Sequence, residues 1–480
     1  MALAGGEVNP TPSARDSTSL APTPLPRKFG FWSGHFLVVA SMVGAGILTT
    51  SGFTLRDTGN PAALMSLWVV GGLLALCGTV TIAEMATTLP RAGSDYLFVR
   101  EAFGPSAGVV AGWATFVLGF AAPTALVARL AISYVSAPLE DFLTPWISKA
   151  ILSGIQPLLA SLLIAGIVVA HCLGHRESSW LQVTATLVKI SILIGLIVAG
   201  LAFGKGDWNH FNASSWPTSN QWPALAIGLI YVGYSYSGWN AAAYIAGEIR
   251  DPQRQLPRAL ISGCLAVVIL YLLVNLVYVY ALDPNMMMHR GPGEVERIAE
   301  LAAEQLFGPR AAAAIAVLLG IGLMASVSAY LLAGPRLTYA MALDGAFPRF
   351  ASRLHPTRAT PAHAIIAQGV LAIGFVWSGP FLTILEYTAV GLAAVSGLVV
   401  ASIFPLRRRR DLTFPYRMPF FPIPPLLYLG ITGWTIAANV IRSESRAPAI
   451  LSLATLLLGI PIARWILAAP ADAATQTKLD

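Results

Sequence analysis

Twelve apolar stretches, each long enough to cross a bilayer, follow one another along this chain with only short polar links between most of them. They lie at about 31–55, 62–89, 106–136, 150–172, 180–203 and 223–248. A second set lies at about 257–282, 309–338, 362–379, 381–405, 423–441 and 448–468. A helical span needs roughly 20 apolar residues, so the pattern predicts an all-α polytopic membrane protein of 12 transmembrane helices. Composition closes off the alternatives. Only 11% of the 480 residues are charged and 56% are hydrophobic, against roughly 25% charged in soluble domains. That supply cannot cover a globule of this size, which excludes a water-soluble enzyme. Coiled-coil and collagen-like readings fail too, because neither a heptad nor a Gly-X-Y period is present.

An even number of spans puts both termini on one side, and the basic residues choose which. With the N-terminus inside, 20 of the 30 Lys and Arg residues fall inside and 8 outside, and Arg129 and Lys189 lie within spans. This bias, strongest at Arg407–Arg410, predicts cytoplasmic termini in a plasma (inner) membrane. It also explains the net charge of +7 without a nucleic-acid partner. Residues 1–29 are expected to be a disordered cytoplasmic tail, since 1–26 are rich in Pro, Ser, Thr and Ala and lack a signal peptide's apolar region. Residues 469–480 form a second tail. The cysteines (Cys77, Cys172, Cys264) and the scattered histidines show no metal-ligand spacing, so neither a metal nor a cofactor is expected. Trp32, Trp68, Trp113, Trp180, Trp222 and Trp377 mostly fall near span ends, where such rings suit the headgroup layer. The outside segment 283–308, with Glu294, Glu296, Glu300 and Glu304 among alanines, predicts a short surface helix.

Two spans are not clean helices. The first reads Ser41-Met42-Val43-Gly44-Ala45-Gly46-Ile47, and the sixth reads Tyr234-Ser235-Tyr236-Ser237-Gly238-Trp239-Asn240. Glycine weakens a helix by about 1 kcal/mol relative to alanine, and neighbouring hydroxyls compete for backbone partners. Either segment alone could be a close helix crossing. Together, with five spans between their starts, they point to a secondary transporter with a broken first helix in each of two halves. Unwound backbone there exposes N–H groups that can hold a carboxylate and carbonyls that can hold an ammonium. An α-amino acid presents both.

At these residues the chain resembles a known family. Val43-Gly44-Ala45-Gly46-Ile47 resembles the glycine-rich first-helix motif of the amino acid–polyamine–organocation superfamily. Ala83 to Tyr96, running on to Arg100-Glu101-Ala102-Phe103-Gly104-Pro105, is similar to its loop signature between spans two and three, with Ser94 where a second glycine is usual. Ser235 to Asn240, followed by Glu248-Ile249-Arg250-Asp251-Pro252 and Leu256-Pro257-Arg258-Ala259, is similar to the L-type amino acid transporter branch. Arg336 to Pro348 and Thr360-Pro361 resemble the loop after span eight. The resemblance covers about 30–405. It implies a LeuT-type five-plus-five inverted repeat, with helices 1–5 in 30–203, helices 6–10 in 222–405 and two accessory helices in 423–468. It also implies that backbone from Val43, Gly44, Ala45, Gly46 and Ile47 takes the carboxylate of an L-amino acid. Carbonyls around Tyr234, Ser235 and Ser237 would take the ammonium, beside Gly238. Tyr234 stands at an aromatic gate, and Trp239 and Asn240 lie beside the side-chain pocket.

A charge at mid-bilayer is costly enough to mark a functional site. Lys189 sits well inside span five, too deep to reach the interface easily. The resemblance places its ammonium between helices one and eight, where sodium sits in sodium-coupled relatives, near the small hydroxyl of Ser326. Arg129 has no carried-over role and is read as structural or as serving an acidic substrate, and Glu386 as a solvated residue near the outer face. Glu84 is expected to fix the loop after span two. A membrane-embedded enzyme would need a carboxylate or histidine cluster in the spans, and none is visible. The predicted function is therefore sodium-independent transport of L-amino acids by alternating access, with proton-coupled uptake preferred. Obligatory exchange is the alternative, and a transporter-like sensor a further one. The eukaryotic L-type branch joins a glycoprotein through a cysteine in the loop between spans three and four. Here the loop 137–149 has no cysteine, so no disulfide-linked heavy chain is expected.

Overall fold

The computed structural model describes residues 27–468 apart from 92, 144, 147, 174–178, 214–221, 356–359 and 443–444. Residues 1–26 and 469–480 of the expected tails, with Arg176, Trp216 and Arg358, lie outside the described residues, as does the side chain of Trp180. The end of the expected N-terminal tail is ordered, because Phe29 N donates to the Glu248 carbonyl at 3.0 Å and the Phe29 carbonyl accepts from Arg250 N at 2.8 Å. The first half runs α1 (Phe31–Met42), α2 (Ala45–Thr58), α3 (Pro61–Thr88), α4 (Ser94–Phe103), α5 (Pro105–Ala114), α6 (Ala122–Leu143), α7 (Lys149–Cys172) and α8 (Ser179–Phe203). The second runs α9 (Trp222–Ser235), a 3-10 segment (Ala241–Glu248) and α10 (Pro252–Ala281), then the short α11 (Pro284–Met288), α12 (Pro292–Val295) and α13 (Ile298–Phe307). It ends with α14 (Pro309–Leu343), α15 (Ala362–Val376), α16 (Phe381–Ala401), α17 (Ile403–Arg408), α18 (Ile423–Ile441) and α19 (Arg446–Ala468).

Among the described residues, nine helical stretches are long and apolar enough to cross a membrane, or ten when α1 and α2 count as one span bent by 41°. The shorter apolar helices α9 and α15 coincide with the sixth and ninth predicted spans. The third span, expected as one helix, contains a π-helical stretch, Thr115–Ala121, between α5 and α6. Pro123 follows it and has no N–H to offer the preceding turn, which favours a wider one. Leu, Ile, Val and Phe side chains project outward along most spans, as lipid contact requires: Leu162, Val198, Val370 and Leu451 are about 60% exposed.

Small residues set the interior spacing. A Cβ on Gly72 or Gly78 of α3 would meet Val268 or Trp239 at 2.8 Å, so α3 lies close to both α10 and the end of the sixth span. Trp68, expected near an interface, instead stacks edge-on with Tyr236 and Tyr271 at ring separations of 5.4 and 5.3 Å, fully buried. Trp113 is also drawn inward, where its indole N–H donates to the Thr455 carbonyl at 3.1 Å. Trp32, Trp222 and Trp377 remain largely exposed, as an interfacial belt requires. The segment 283–308 is more than one surface helix: α13 is short and keeps Glu304 exposed, but it is not alone. The segment folds as three short helices whose Val295, Ile298, Ala299 and Ala302 are fully buried, because α12 and α13 dock their apolar faces on α2 and its neighbours.

Candidate functional site

The chain unwinds at both places where the glycines sit. Between α1 and α2, Val43 (φ −74°, ψ 92°) and Gly44 (φ −136°, ψ −151°) are extended. This break strips carbonyls at the end of α1 and N–H groups at the start of α2 of helical partners. Buried side chains supply the missing donors. The Tyr271 hydroxyl donates to the Met42 carbonyl at 2.6 Å, and Lys189 Nζ donates to the Val43 carbonyl at 3.1 Å. One turn on, Tyr278 donates to the Ile47 carbonyl at 3.1 Å and Tyr134 to the Leu48 carbonyl at 2.8 Å. Among the described residues no side chain caps the N-terminus of α2, which leaves the amides that follow Gly44 for another acceptor. A Cβ on Gly44 would find only the Met42 carbonyl oxygen, 3.9 Å away, so that side of the break is open.

Lys189 is 4% exposed, and its ammonium also donates to Ser326 Oγ at 2.8 Å. The structure thus brings together α1, α8 and α14 at one cation. Its methylene stem lies against Gly322, where a Cβ would stand 2.5 Å from Cγ. Burying an ammonium is costly unless its protons are taken up by acceptors. Here a freed carbonyl and a hydroxyl accept two.

The second break follows Ser235. Residues 236–240 form turns closed on themselves: Ser237 N donates to the Tyr234 carbonyl and Ala241 N to the Gly238 carbonyl, each at 3.0 Å. Gly238 has φ +100°, a left-handed conformation that favours glycine. Its missing side chain lets the Ser41 carbonyl approach, since a Cβ would stand 2.8 Å from it. The two breaks therefore touch. Gly46 lies inside α2 rather than at the break, and its Cα face meets the backbone of Ser235, where a Cβ has no room. Thr50 Oγ1 completes the contact, 2.7 Å from Ser235 Oγ, while also donating to the Gly46 carbonyl at 2.9 Å.

Tyr234, Ser237 and Trp239 line a narrow cavity of about 50 Å³ with Ser396 and Tyr428 from α16 and α18. Asn240 is turned elsewhere: its Nδ2 donates to Asp95 Oδ1 at 2.8 Å. Sequence reasoning did not single out Asp95 or the tyrosines that serve the first break. One signal was available, because Tyr271, Asn275 and Tyr278 fall at i, i+4 and i+7 and so share a face of α10, where buried polar groups need partners. Asn275 indeed accepts from Ser51 of α2 at 2.5 Å.

The remaining ionisable groups serve the scaffold. Arg129 donates to the Gly379 carbonyl at 2.5 Å, next to the end of α15, which accounts for it as structural. Glu386 accepts from the Tyr231 hydroxyl at 2.9 Å rather than being merely solvated. Glu84 does not hold the loop that follows it. Fully buried, it binds Arg407 through both oxygens, at 2.6 and 2.7 Å, and accepts from Met418 N at 2.7 Å. This bidentate pair anchors the segment after α17, because α16 and α17 deliver Arg407 beside α3. The two loop signatures do meet, as Arg100 pairs with Asp344 at 2.7 Å.

Unwound backbone at paired breaks, with a buried lysine at the first, is the arrangement of a carrier rather than of an enzyme. Comparison with known proteins decides the matter. Residues 29–460 match the amino acid permease family. The chain belongs to that family. The permease is 26% identical over 442 residues to the serine/threonine exchanger SteT of Bacillus subtilis, covering 91% of this chain and 96% of that one. It is 25% identical over 437 residues to the mouse b(0,+)-type amino acid transporter 1, covering 89% and 86%. It is 25% identical over 470 residues to the human large neutral amino acids transporter small subunit 2, covering 95% and 83%. The permease is thus a multi-pass membrane transporter that resembles the L-type branch, and not an enzyme.

Proposed function

We propose that the permease is a sodium-independent carrier of neutral L-amino acids that works by alternating access, with twelve spans in a five-plus-five inverted repeat (30–203 and 222–405) and both termini in the cytoplasm. The observation that carries this reading is the ammonium of Lys189, buried between the Val43 carbonyl and Ser326 Oγ. A fixed or titrating cation there supplies the charge that a sodium ion would otherwise bring to the unwound first span. The uncapped amides after Gly44 take the substrate carboxylate, and carbonyls around Tyr234, Ser235 and Ser237 take the ammonium. Tyr234 gates the site. The residues around the second break carry no charge, which favours a neutral side chain.

Proton-coupled uptake is the preferred mode. Exchange is the second reading, supported by the relative named as a serine/threonine exchanger, of which 96% is covered. One relative is named a small subunit. The cysteine-free loop 137–149 favours a permease without a disulfide-linked heavy chain. Proteoliposomes test all of this. Uptake of neutral amino acids should be unchanged when external sodium is replaced by choline. It should concentrate substrate under an inward proton gradient with an empty lumen. Uptake seen only with a preloaded lumen would establish exchange, and steep sodium dependence would remove Lys189 from its role.

A further inference from the structure

Asp95 is a buried carboxylate to which the site described above assigns no task. It lies in the first turn of α4 and is 6% exposed. Three neutral donors surround it: Asn240 Nδ2 at 2.8 Å and Ser94 Oγ at 3.1 Å on Oδ1, and the Tyr244 hydroxyl at 3.2 Å on Oδ2. Asn240 and Tyr244 belong to the turn after α9 and to the 3-10 segment Ala241–Glu248, the half of the sixth span beyond its break.

Among the described residues no cation pairs with it. On α4 itself Arg100 pairs with Asp344 and Glu101 with Arg409. On α17 Arg407 is held by Glu84. Arg91, upstream, is exposed, and α18 offers the phenol of Tyr428. The 3-10 segment adds Tyr244 and Glu248, whose backbone carbonyl accepts from Phe29 N at 3.0 Å. α5 brings no charged group, and the only one on α16, Glu386, is paired with Tyr231.

We propose that Asp95 carries a proton while the second half of the sixth span is packed against it, and gives that proton to water when this half swings away. Asp95 is thereby a positioning residue that acts through Asn240 and Tyr244. The geometry admits the neutral acid: Oδ1 keeps its two donors, and an Oδ2–H turns to the Tyr244 oxygen, reversing that one bond. The proton moves between Oδ2 and water on the face read above as cytoplasmic, and no other bond changes. Burial pushes the Asp95 carboxyl above the usual carboxylate range, against the opposing hydrogen bonds from Asn240, Ser94 and Tyr244. The sign follows from linkage: the packed state has the higher pKa, so acid favours it and rising pH releases it. A half-helix that closes with a proton and opens without one couples pH to access. The inference rests on the alternating-access reading, but its test does not require transport.

The measurement is hydrogen–deuterium exchange of residues 241–248 in the full chain in nanodiscs, scanned from about pH 5 to pH 8 and corrected for intrinsic exchange. In the wild type, protection of this segment should fall several-fold as pH rises. Asp95→Asn, neutral at every pH, should hold the acid-state protection throughout. Tyr244→Phe removes the donor to the carboxylate and the acceptor for the acid alike, so protection of 241–248 should drop at every pH while its pH dependence, carried by Asp95, remains. It keeps the test informative if Asp95→Asn does not fold. Wild-type protection that is flat with pH, or an Asp95→Asn or Tyr244→Phe profile that matches the wild type, overturns the proposal. A wild type that moves no amino acid yet shows this profile leaves the latch standing and removes the transport reading instead.

Discussion

The two breaks look alike in sequence and are built differently. At the first, freed carbonyls are served by side chains from distant helices: Tyr271 of α10 on Met42 and Lys189 of α8 on Val43. At the second, turns within 234–241 satisfy much of the backbone locally, and the flanking segment is tied to Asp95 by Asn240 and Tyr244. A break clamped from several helices cannot change shape without losing bonds in each. A break that closes much of its backbone on itself can move more nearly as a unit, giving up side-chain contacts such as Asp95, the Tyr236 hydroxyl on the Trp68 carbonyl and the packing of Trp239 on Gly78. On the proposed reading the first break takes the substrate carboxylate beside Lys189, and the second takes the ammonium and carries the motion.

The largest effect should come from the seam between the two. Gly46→Val places a side chain against the Ser235 backbone, so α2 and α9 must part, at a cost of about 3 kcal/mol. The contact with Ser235 means that this variant loses stability as well as binding. Gly44→Ala, on the open side, should keep the fold and weaken binding alone. Melting temperatures of the two variants in detergent, set beside substrate binding, separate these outcomes; equal melting would deny the seam.

Next comes the clamp. Lys189→Met leaves the Val43 carbonyl buried without its donor, for about 2 kcal/mol. It should retain weakened substrate binding and lose accumulation driven by a proton gradient. Lys189→Arg keeps a charge that does not titrate. Exchange activity surviving in it would make the lysine a tether, and its loss would favour titration, provided the larger head is accommodated beside Gly322. Accumulation by Lys189→Met equal to wild type would remove the coupling role.

The smallest effect is expected at Tyr271→Phe. It deletes the hydroxyl on Met42 while leaving the ring stacked on Trp68, and should cost about 1 kcal/mol. The matching change at the second break, Asn240→Leu, should leave α1 and α2 undisturbed and loosen only 241–248. Exchange protection read separately over 39–48 and 241–248 checks whether the two breaks are as independent as their bonding implies.

The sequence alone determined the membrane class, most of the span positions, both breaks and the mid-span place of Lys189. Those follow from local facts: bilayer thickness fixes the length of an apolar run, glycine weakens a helix wherever it stands, and a mid-span ammonium is costly in any fold. Only the tertiary structure decided which groups answer these demands. Glu84 meets Arg407 and Met418 rather than its own loop, Asp95 meets Asn240, and the phenols of Tyr134, Tyr271 and Tyr278 find carbonyls of the first span. Each of these pairs joins segments far apart in the chain. A buried polar atom announces that it needs a partner, but the packing of the helices selects the partner.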